Sequence, residues 1–286
     1  MIIIYTCNIK ISGIVAMDQT QEKFIFFLQK DGLSENTILS YLKTIRQYKN
    51  LFGPFELRNI YSFKGYLLEN YKVKTVNLRI QALNKYLEFI GKEDLKLKFV
   101  KIQQKNFLEN VISDADYRYL INCLKKDKLI SWYFIVRFLC ATGARISELI
   151  QIKVEDVQLG YVDIYGKGGK QRRLYIPKKL CKEALKWFEK EKRDSGFIFN
   201  NRYGEQISTR GIANQLKIFA NKYKINPKVV YPHSFRHRFA KNFLERFNDL
   251  ALLADLMGHE SIETTRIYLR RTSLEQQQIV DRVVTW

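Results

Sequence analysis

With 286 residues, 46% of them hydrophobic and 14% aromatic, the chain can bury a sizeable core, and its length favours two domains, which excludes a disordered basic tail. Its 49 Lys and Arg against 29 Asp and Glu leave a formal net charge of +20, spread over both halves, so nucleic acid, an anionic membrane or phosphate ligands head the list of partners. A membrane span is excluded because the best apolar run, Ile130–Ala144, is interrupted by Ser131 and Arg137 and falls short of the about 20 residues a bilayer demands. The apolar-leaning Met1–Ala16 lacks a basic leader and is broken by Asn8, Lys10 and Ser12, so it does not read as a signal peptide. Residues 1–17 are taken as an N-terminal extension, with Met17 an alternative start. Cys7, Cys123, Cys140 and Cys181 are widely spaced with no CxxC, which fits a reducing cytoplasm better than a disulfide framework or a cysteine zinc site.

Residues 18–98 read as an all-helical bundle. Apolar side chains recur at helical spacing in Phe24, Phe27 and Leu28, then in Ile38, Tyr41, Leu42 and Ile45, where Ser34 supplies an N-cap. A third run keeps Leu83, Tyr86, Leu87 and Ile90 on one face and stops at Gly91. The polar, basic stretch 99–112 has no clean periodicity and is read as a linker. The second domain, 113–286, opens with Ser113-Asp-Ala-Asp, a capping residue followed by an acidic first turn. A long apolar helix, Trp132–Cys140, is predicted to break at Gly143. The period then changes: Tyr161-Val-Asp-Ile-Tyr alternates, Gly166-Lys-Gly-Gly turns, and Gln171-Arg-Arg-Leu-Tyr-Ile alternates again up to Pro177, a β-hairpin signature. Helical patterns resume to the C-terminus. The expected fold is therefore mainly α with one small antiparallel hairpin, an α+β second domain behind an all-α bundle.

All three histidines, His233, His237 and His259, fall in one short stretch near Arg236, Arg238 and Tyr268. His233 and His237 stand i,i+4, a spacing metal ligands use, but no Glu lies between them and no third ligand is apparent, so no metal is expected. Gly166-Lys-Gly-Gly-Lys170 lacks the frame of a Walker loop, since Gln171 follows Lys170. Each residue also has an ordinary reading: Arg145 as a helix cap or a partner of Glu148, Tyr268 as packing, Lys167 as a solvated turn lysine, His233 and Arg236 as i,i+3 surface neighbours. The basic series Lys178, Lys179, Lys182, Lys186, Lys190, Lys192 and Arg193 follows helical spacing, as either a solvated face or a phosphate track.

Taken together, Ala141-Thr-Gly-Ala-Arg145-Ile-Ser-Glu-Leu149, Gly166-Lys167-Gly168, His233-Ser-Phe-Arg236-His-Arg-Phe-Ala, Leu256-Met-Gly-His259 and Thr264-Thr-Arg-Ile-Tyr268 stand in the order and spacing of the tyrosine recombinases, phage integrases and Xer proteins among them. The chain resembles that family over essentially Asp18–Trp286. The resemblance implies a catalytic set of Arg145, Lys167, His233, Arg236 and His259 with Tyr268 as nucleophile, no cofactor, and a core-binding domain at 18–98. Two guanidinium forks suit the nonbridging oxygens of a phosphodiester in transesterification, and proton transfers to and from the tyrosine and the leaving oxygen need a base and an acid but no metal. Within the family pattern Lys167 would be the general acid, His233 would assist the nucleophile's proton transfer, and His259 would donate to the phosphate. Glu148 is expected to orient Arg145, and His237 to support the site or contact DNA.

The resemblance further implies a cytoplasmic enzyme acting on double-stranded recombination sites as a tetrameric synapse. With no segment for arm binding ahead of Asp18, it points to an Xer-like role such as chromosome dimer resolution in cell division, against DNA integration by a mobile element. A type IB-like topoisomerase and a non-catalytic DNA-binding regulator are the other readings. Ile279, Val280, Val283 and Val284 form an apolar stripe that either docks on a neighbouring subunit, as in the family, or folds back on its own core.

Overall fold

The computed structural model describes residues 19–102, 110–165, 171–259, 261–269, 277 and 280–284. The chain divides into two compact units, Met1–Gln104 and Lys105–Trp286.

The first unit is built from α1 (Gln19–Lys30), α2 (Glu35–Phe52), α3 (Leu57–Asn70) and α4 (Val73–Phe89), followed by a 3₁₀ turn at Glu93–Leu95. Ser34 caps α2 by accepting the Thr37 N–H, as its place in the sequence predicts. α3 is the helix that periodicity did not reveal. Its inward residues Ile60, Phe63 and Leu67 are fully buried, but Leu57, Tyr61 and Leu68 are exposed on the same helix, and apolar residues on two faces blur the pattern. The core is aromatic, with Phe24, Tyr48, Phe63 and Tyr86 packed edge-on or tilted against neighbouring rings.

The stretch read as a linker is engaged at both ends. Asn77 on α4 pairs its side-chain amide with both backbone groups of Val100, at 2.9 Å each, and Asn84 does the same for Leu97. Two side chains thus take the place of a β-ladder for residues 97–100. At the other end Ile112 is buried in the core of the second unit, and its N–H donates to Ser234 Oγ at 2.8 Å.

In the second unit α5 (Asp114–Lys126) is capped by Ser113, and α6 (Ile130–Thr142), longer than the predicted run, ends at Gly143 in the left-handed region. Gly143 is required twice over: φ is +65°, and a Cβ there would run into the Phe239 ring. Next come α7 (Ile146–Leu149), α8 (Val154–Leu159) and the hairpin of β1 (Tyr161–Tyr165) and β2 (Gln171–Tyr175), antiparallel with Tyr161 opposite Tyr175 and Ile164 opposite Arg172. Residues 166–170, the hairpin tip with Lys167, lie outside the described residues. Then follow α9 (Lys178–Lys190), α10 (Thr209–Lys222), α11 (Pro232–Arg246), α12 (Leu250–Met257) and α13 (Ile262–Arg266), with a 3₁₀ turn at Ile267–Leu269. α9 turns Leu180, Cys181, Ala184, Trp187 and Phe188 inward and leaves Lys178, Lys179, Lys182, Lys186 and Lys190 exposed. A separate small core, Ala240, Leu244, Leu253, Met257 and Tyr268, joins α11, α12 and the last 3₁₀ turn.

Candidate active site

The site lies in the second unit, where segments far apart in sequence meet. Arg145 occupies the N-cap position of α7, directly after the Gly143 break. Its backbone N–H donates to Glu148 Oε2 at 2.6 Å and its Nη1 to Glu148 Oε1 at 2.9 Å, so the acid three residues on fixes both the main chain and the guanidinium of Arg145. Glu148 also accepts from Arg172 Nη2, at 2.6 Å on Oε2. Burial pushes the Glu148 carboxyl up, but the Arg172 charge and the bonds from both arginines outweigh it and hold the group below its ordinary value. The sequence reading paired Glu148 with Arg145, and the two are hydrogen-bonded here; the second arginine on Glu148 was not foreseen.

α11 carries His233, Arg236 and His237 and is tied down near its start. Ser234 takes the Ile112 N–H, and Arg238 pairs with Asp114 while lying over the Tyr117 ring. Arg236 is 3% exposed and donates from Nη1 to Gly143 O at 2.5 Å and from Nη2 to Met257 O at 2.7 Å. Its pKa is pulled down to about 10, by burial first and by the neighbouring Arg145 charge second.

Three successive carbonyls at the C-terminal end of α12 each receive a different arginine. Leu256 O accepts from Arg172, Met257 O from Arg236 and Gly258 O from Arg145. The last carbonyls of a helix lack intrahelical partners and carry its negative pole, so cations gather there on general grounds. Gly258 makes the crowding feasible: it sits at φ +60°, and a Cβ would run into the Arg172 Cδ.

His259 follows that turn. Its Nε2 stands 3.2 Å from Arg236 Nη2 and its Nδ1 2.7 Å from Thr265 Oγ1. A guanidinium only donates, which assigns the proton to Nδ1 and the lone pair to Nε2 in this arrangement. Burial, then the charges of Arg236, Arg145 and Arg172, push His259 down to about 4, so the ring is neutral near pH 7. Tyr268 is 6% exposed, its hydroxyl 3.1 Å from His237 Nδ1 and its ring nearly parallel to that of His259 at 6.2 Å. Burial raises the Tyr268 pKa, opposed by Arg236 and Arg145. His237 is likewise pushed down to about 4 by burial, with His233 and Arg236 adding to it. His233 itself is solvent-exposed at the second position of α11.

Among the described residues, then, Arg145 bonds Glu148, Arg236 stands against His259, the two arginines share one helix end, the Tyr268 ring lies 6.2 Å from that of His259, and His233 is on the same helix as Arg236. The hydroxyl of Tyr268 is met by His237, which sequence reasoning had kept outside the chemistry. A cavity of about 990 Å³ opens onto Arg145, Glu148, Arg172 and His259. Arg172 had a readable signal: in the alternating strand Gln171–Tyr175, continued by Ile176, residues 172, 174 and 176 share one face, and Leu174 and Ile176 are core. Among the described residues no group of three or more His, Cys, Asp or Glu side chains is placed to hold a metal ion. No helix among them is long and apolar enough to cross a membrane.

Guanidinium groups gathered at one helix end, beside a histidine whose ring lies 6.2 Å from that of Tyr268 and with both oxygens of the nearby acid already spent, suit an oxyanion ligand such as a phosphodiester. Comparison with known proteins agrees. Residues 110–275 match the phage integrase family. Tyrosine recombinase XerA of Pyrococcus furiosus is 32% identical over 270 residues, covering 91% of this chain and 92% of that protein. Tyrosine recombinase XerC of Staphylococcus epidermidis is 28% identical over 287 residues, covering 92% and 95%. The Tn1549 transposon integrase in complex with transposon right end DNA has the same fold, with a TM-score of 0.69 at 16% identity over 93% of this chain and 99% of that one. A crystal structure of XerA recombinase aligns with a TM-score of 0.53 at 20% identity over 93% and 98%. The chain belongs to the phage integrase family, the tyrosine recombinases, and is a site-specific recombinase.

Proposed function

We propose that the chain cuts and rejoins duplex DNA through a 3′-phosphotyrosine at Tyr268, in an Xer-like role. The observation that carries this reading is the convergence of Arg145, Arg236, His259 and Tyr268, drawn from α7, α11, the α12 turn and the last 3₁₀ turn. In the reaction, Tyr268 Oη bonds to phosphorus while the bond from phosphorus to the 5′-oxygen breaks. The tyrosine proton leaves to a base, and the departing 5′-oxygen gains one from an acid. Arg145 and Arg236 keep N–H groups beyond those spent on carbonyls and hold the nonbridging oxygens, whose charge grows at the transition state. The family pattern gives the acid role to Lys167. The proton of Tyr268 passes to His237, which already faces the hydroxyl and is neutral at pH 7. His233 and His259 complete the site, and His259 donates to phosphate only in the other tautomer, with the ring proton on Nε2, released from Arg236, and Nδ1 accepting from Thr265 Oγ1. Rejoining runs in reverse with a new 5′-hydroxyl, so the phosphodiester energy is retained.

The Xer-like assignment rests on relatives matched along most of their length, not on the catalytic domain alone. In that role both units bind the duplex, four protomers form the synapse, and the two strand pairs are exchanged in turn to resolve chromosome dimers. The bulk of the +20 charge serves phosphate binding that salt weakens. Val280, Val283 and Val284 are exposed, while Ile279 lies outside the described residues, and the tail stripe docks on a neighbouring protomer.

The test is covalent trapping. The protein is incubated with a pool of nicked random-sequence duplexes, denatured, and the DNA that stays attached is sequenced. Wild type should enrich a partly palindromic site joined through its 3′ end, and Tyr268→Phe should trap nothing. An adduct that survives Tyr268→Phe, or no adduct from wild type, sinks the reading.

A further inference from the structure

Arg172 occupies an unusual place for a cation. It sits on the core-facing side of β2, in line with Leu174 and Ile176, and its side chain is 11% exposed against 39% for Arg145. Burying a guanidinium costs free energy unless its donors are used, and Arg172 uses both terminal nitrogens on the site. Nη2 holds Glu148 Oε2 at 2.6 Å, and Nη1 holds Leu256 O, while Nε is buried without a hydrogen-bond partner. Glu148 in turn holds the backbone and guanidinium of Arg145, and Leu256 is two residues before the Gly258 carbonyl on which Arg145 also rests and three before His259. One side chain on the hairpin therefore bonds Glu148, one support of Arg145, and the turn that carries the other, the Gly258 carbonyl. The lack of a Cβ at Gly258 is what lets its Cδ and Nε approach the turn.

We propose that Arg172 is a positioning residue for the recombinase reaction. It does not contact the scissile phosphate; it holds the Glu148 carboxylate and the 256–258 carbonyl run at a set separation and thereby places Arg145 and His259 around the phosphate. The planar fork matters, because its two terminal nitrogens, held in one plane, bond a carboxylate and a carbonyl on different elements at a fixed separation, which one ammonium nitrogen on a flexible stem does not impose. A shift of about 1 Å in a group that must meet the transition state costs about a hundredfold in rate, which sets the size of the expected effect. The inference rests on the reading of Arg145 and His259 as phosphate-binding groups.

The experiment uses the full chain and a nicked duplex carrying the site recovered by covalent trapping. Single-turnover cleavage is measured at saturating protein, DNA affinity at several salt concentrations, and thermal unfolding, for wild type, Arg172→Met, Arg172→Lys, Glu148→Gln and the Arg172→Met/Glu148→Gln double variant. Arg172→Met should cleave about a hundredfold more slowly than wild type. Arg172→Lys, which keeps a cation for Glu148 and loses the fork, should cleave about tenfold more slowly. Both should keep the salt dependence of binding. The double variant should be no slower than the worse single one, within about threefold, because both act on Arg145 through one contact. Wild-type cleavage by Arg172→Met, whatever its melting temperature, overturns the proposal. So does a fall of about 0.9 in the logarithmic salt slope, which would mark a lost phosphate contact, and so do effects that multiply in the double variant. If Arg172→Met does not fold, Arg172→Lys decides alone: a tenfold loss with unchanged slope supports the proposal, and wild-type cleavage ends it. Failure of wild type to form an adduct would instead refute the catalytic reading and this inference with it.

Discussion

The two units manage charge in opposite ways. In the first, ion pairs such as Lys85 with Asp31 and Lys96 with Glu88 lie at the surface, and the interior is a cluster of rings and aliphatic side chains. In the second, Arg236 and Glu148 are nearly inaccessible, Arg172 is close to it, and all three are bonded to one another's supports or to carbonyls at a helix end. Surface pairs are worth little and can be lost with little consequence, whereas a buried charge stripped of its partner is costly. On the proposed function the two buried arginines have separate tasks besides stability: Arg236 stands desolvated and fixed beside the phosphodiester, and Arg172 holds the supports of Arg145.

That contrast can be broken at several points. The largest effect is expected at Arg236→Lys, which removes the fork linking Gly143 O and Met257 O. Single-turnover cleavage should fall by about 10²- to 10³-fold while DNA affinity changes little. Glu148→Gln leaves the guanidinium groups of Arg145 and Arg172 without their counter-charge and should cost about 3 kcal/mol in urea unfolding at pH 7. Glycines give a matched pair. Gly91, at φ +71° with open space around it, should tolerate alanine for about 1 kcal/mol and no change in cleavage. Gly258→Ala meets Arg172 as well as an unfavourable φ, and should lose both stability and cleavage.

The pH dependence separates the units further. His237 and His259 have native pKa values near 4, below the about 6.5 of an unfolded chain, so between those values the unfolded state binds more protons. Stability should therefore be fully present above about pH 7 and decline as pH falls toward 4. A His237→Gln/His259→Gln variant should show a shallower decline in urea midpoint between pH 7 and 5. The smallest effect is expected at Asp31→Asn, which breaks a surface pair with Lys85 and should cost less than about 1 kcal/mol with no change in cleavage.

Much of this contrast could be read from residue order. Ser34 and Ser113 announce the helices they cap, Gly143 announces the end of α6, and the alternation on both sides of Gly166 announces the hairpin. The motifs around Arg145, Arg236, His259 and Tyr268 name residues that the fold brings together. Three features were less legible, each for a physical reason. α3 was hidden because its outer face is also apolar. The bracing of residues 97–100 depends on Asn77 and Asn84, whose amides substitute for a backbone partner and leave no periodic trace. The pairing of Tyr268 with His237 rather than His233 depends on which face of α11 meets the last 3₁₀ turn, a matter of packing that i,i+4 spacing alone does not decide.

The most direct test is to digest the covalent complex trapped on a nicked duplex and identify the modified peptide by mass spectrometry. A nucleotide 3′-phosphate should be found on Tyr268, and the adduct should vanish in Tyr268→Phe while DNA binding persists. Attachment to another residue, or through a 5′-phosphate, would contradict the site described above.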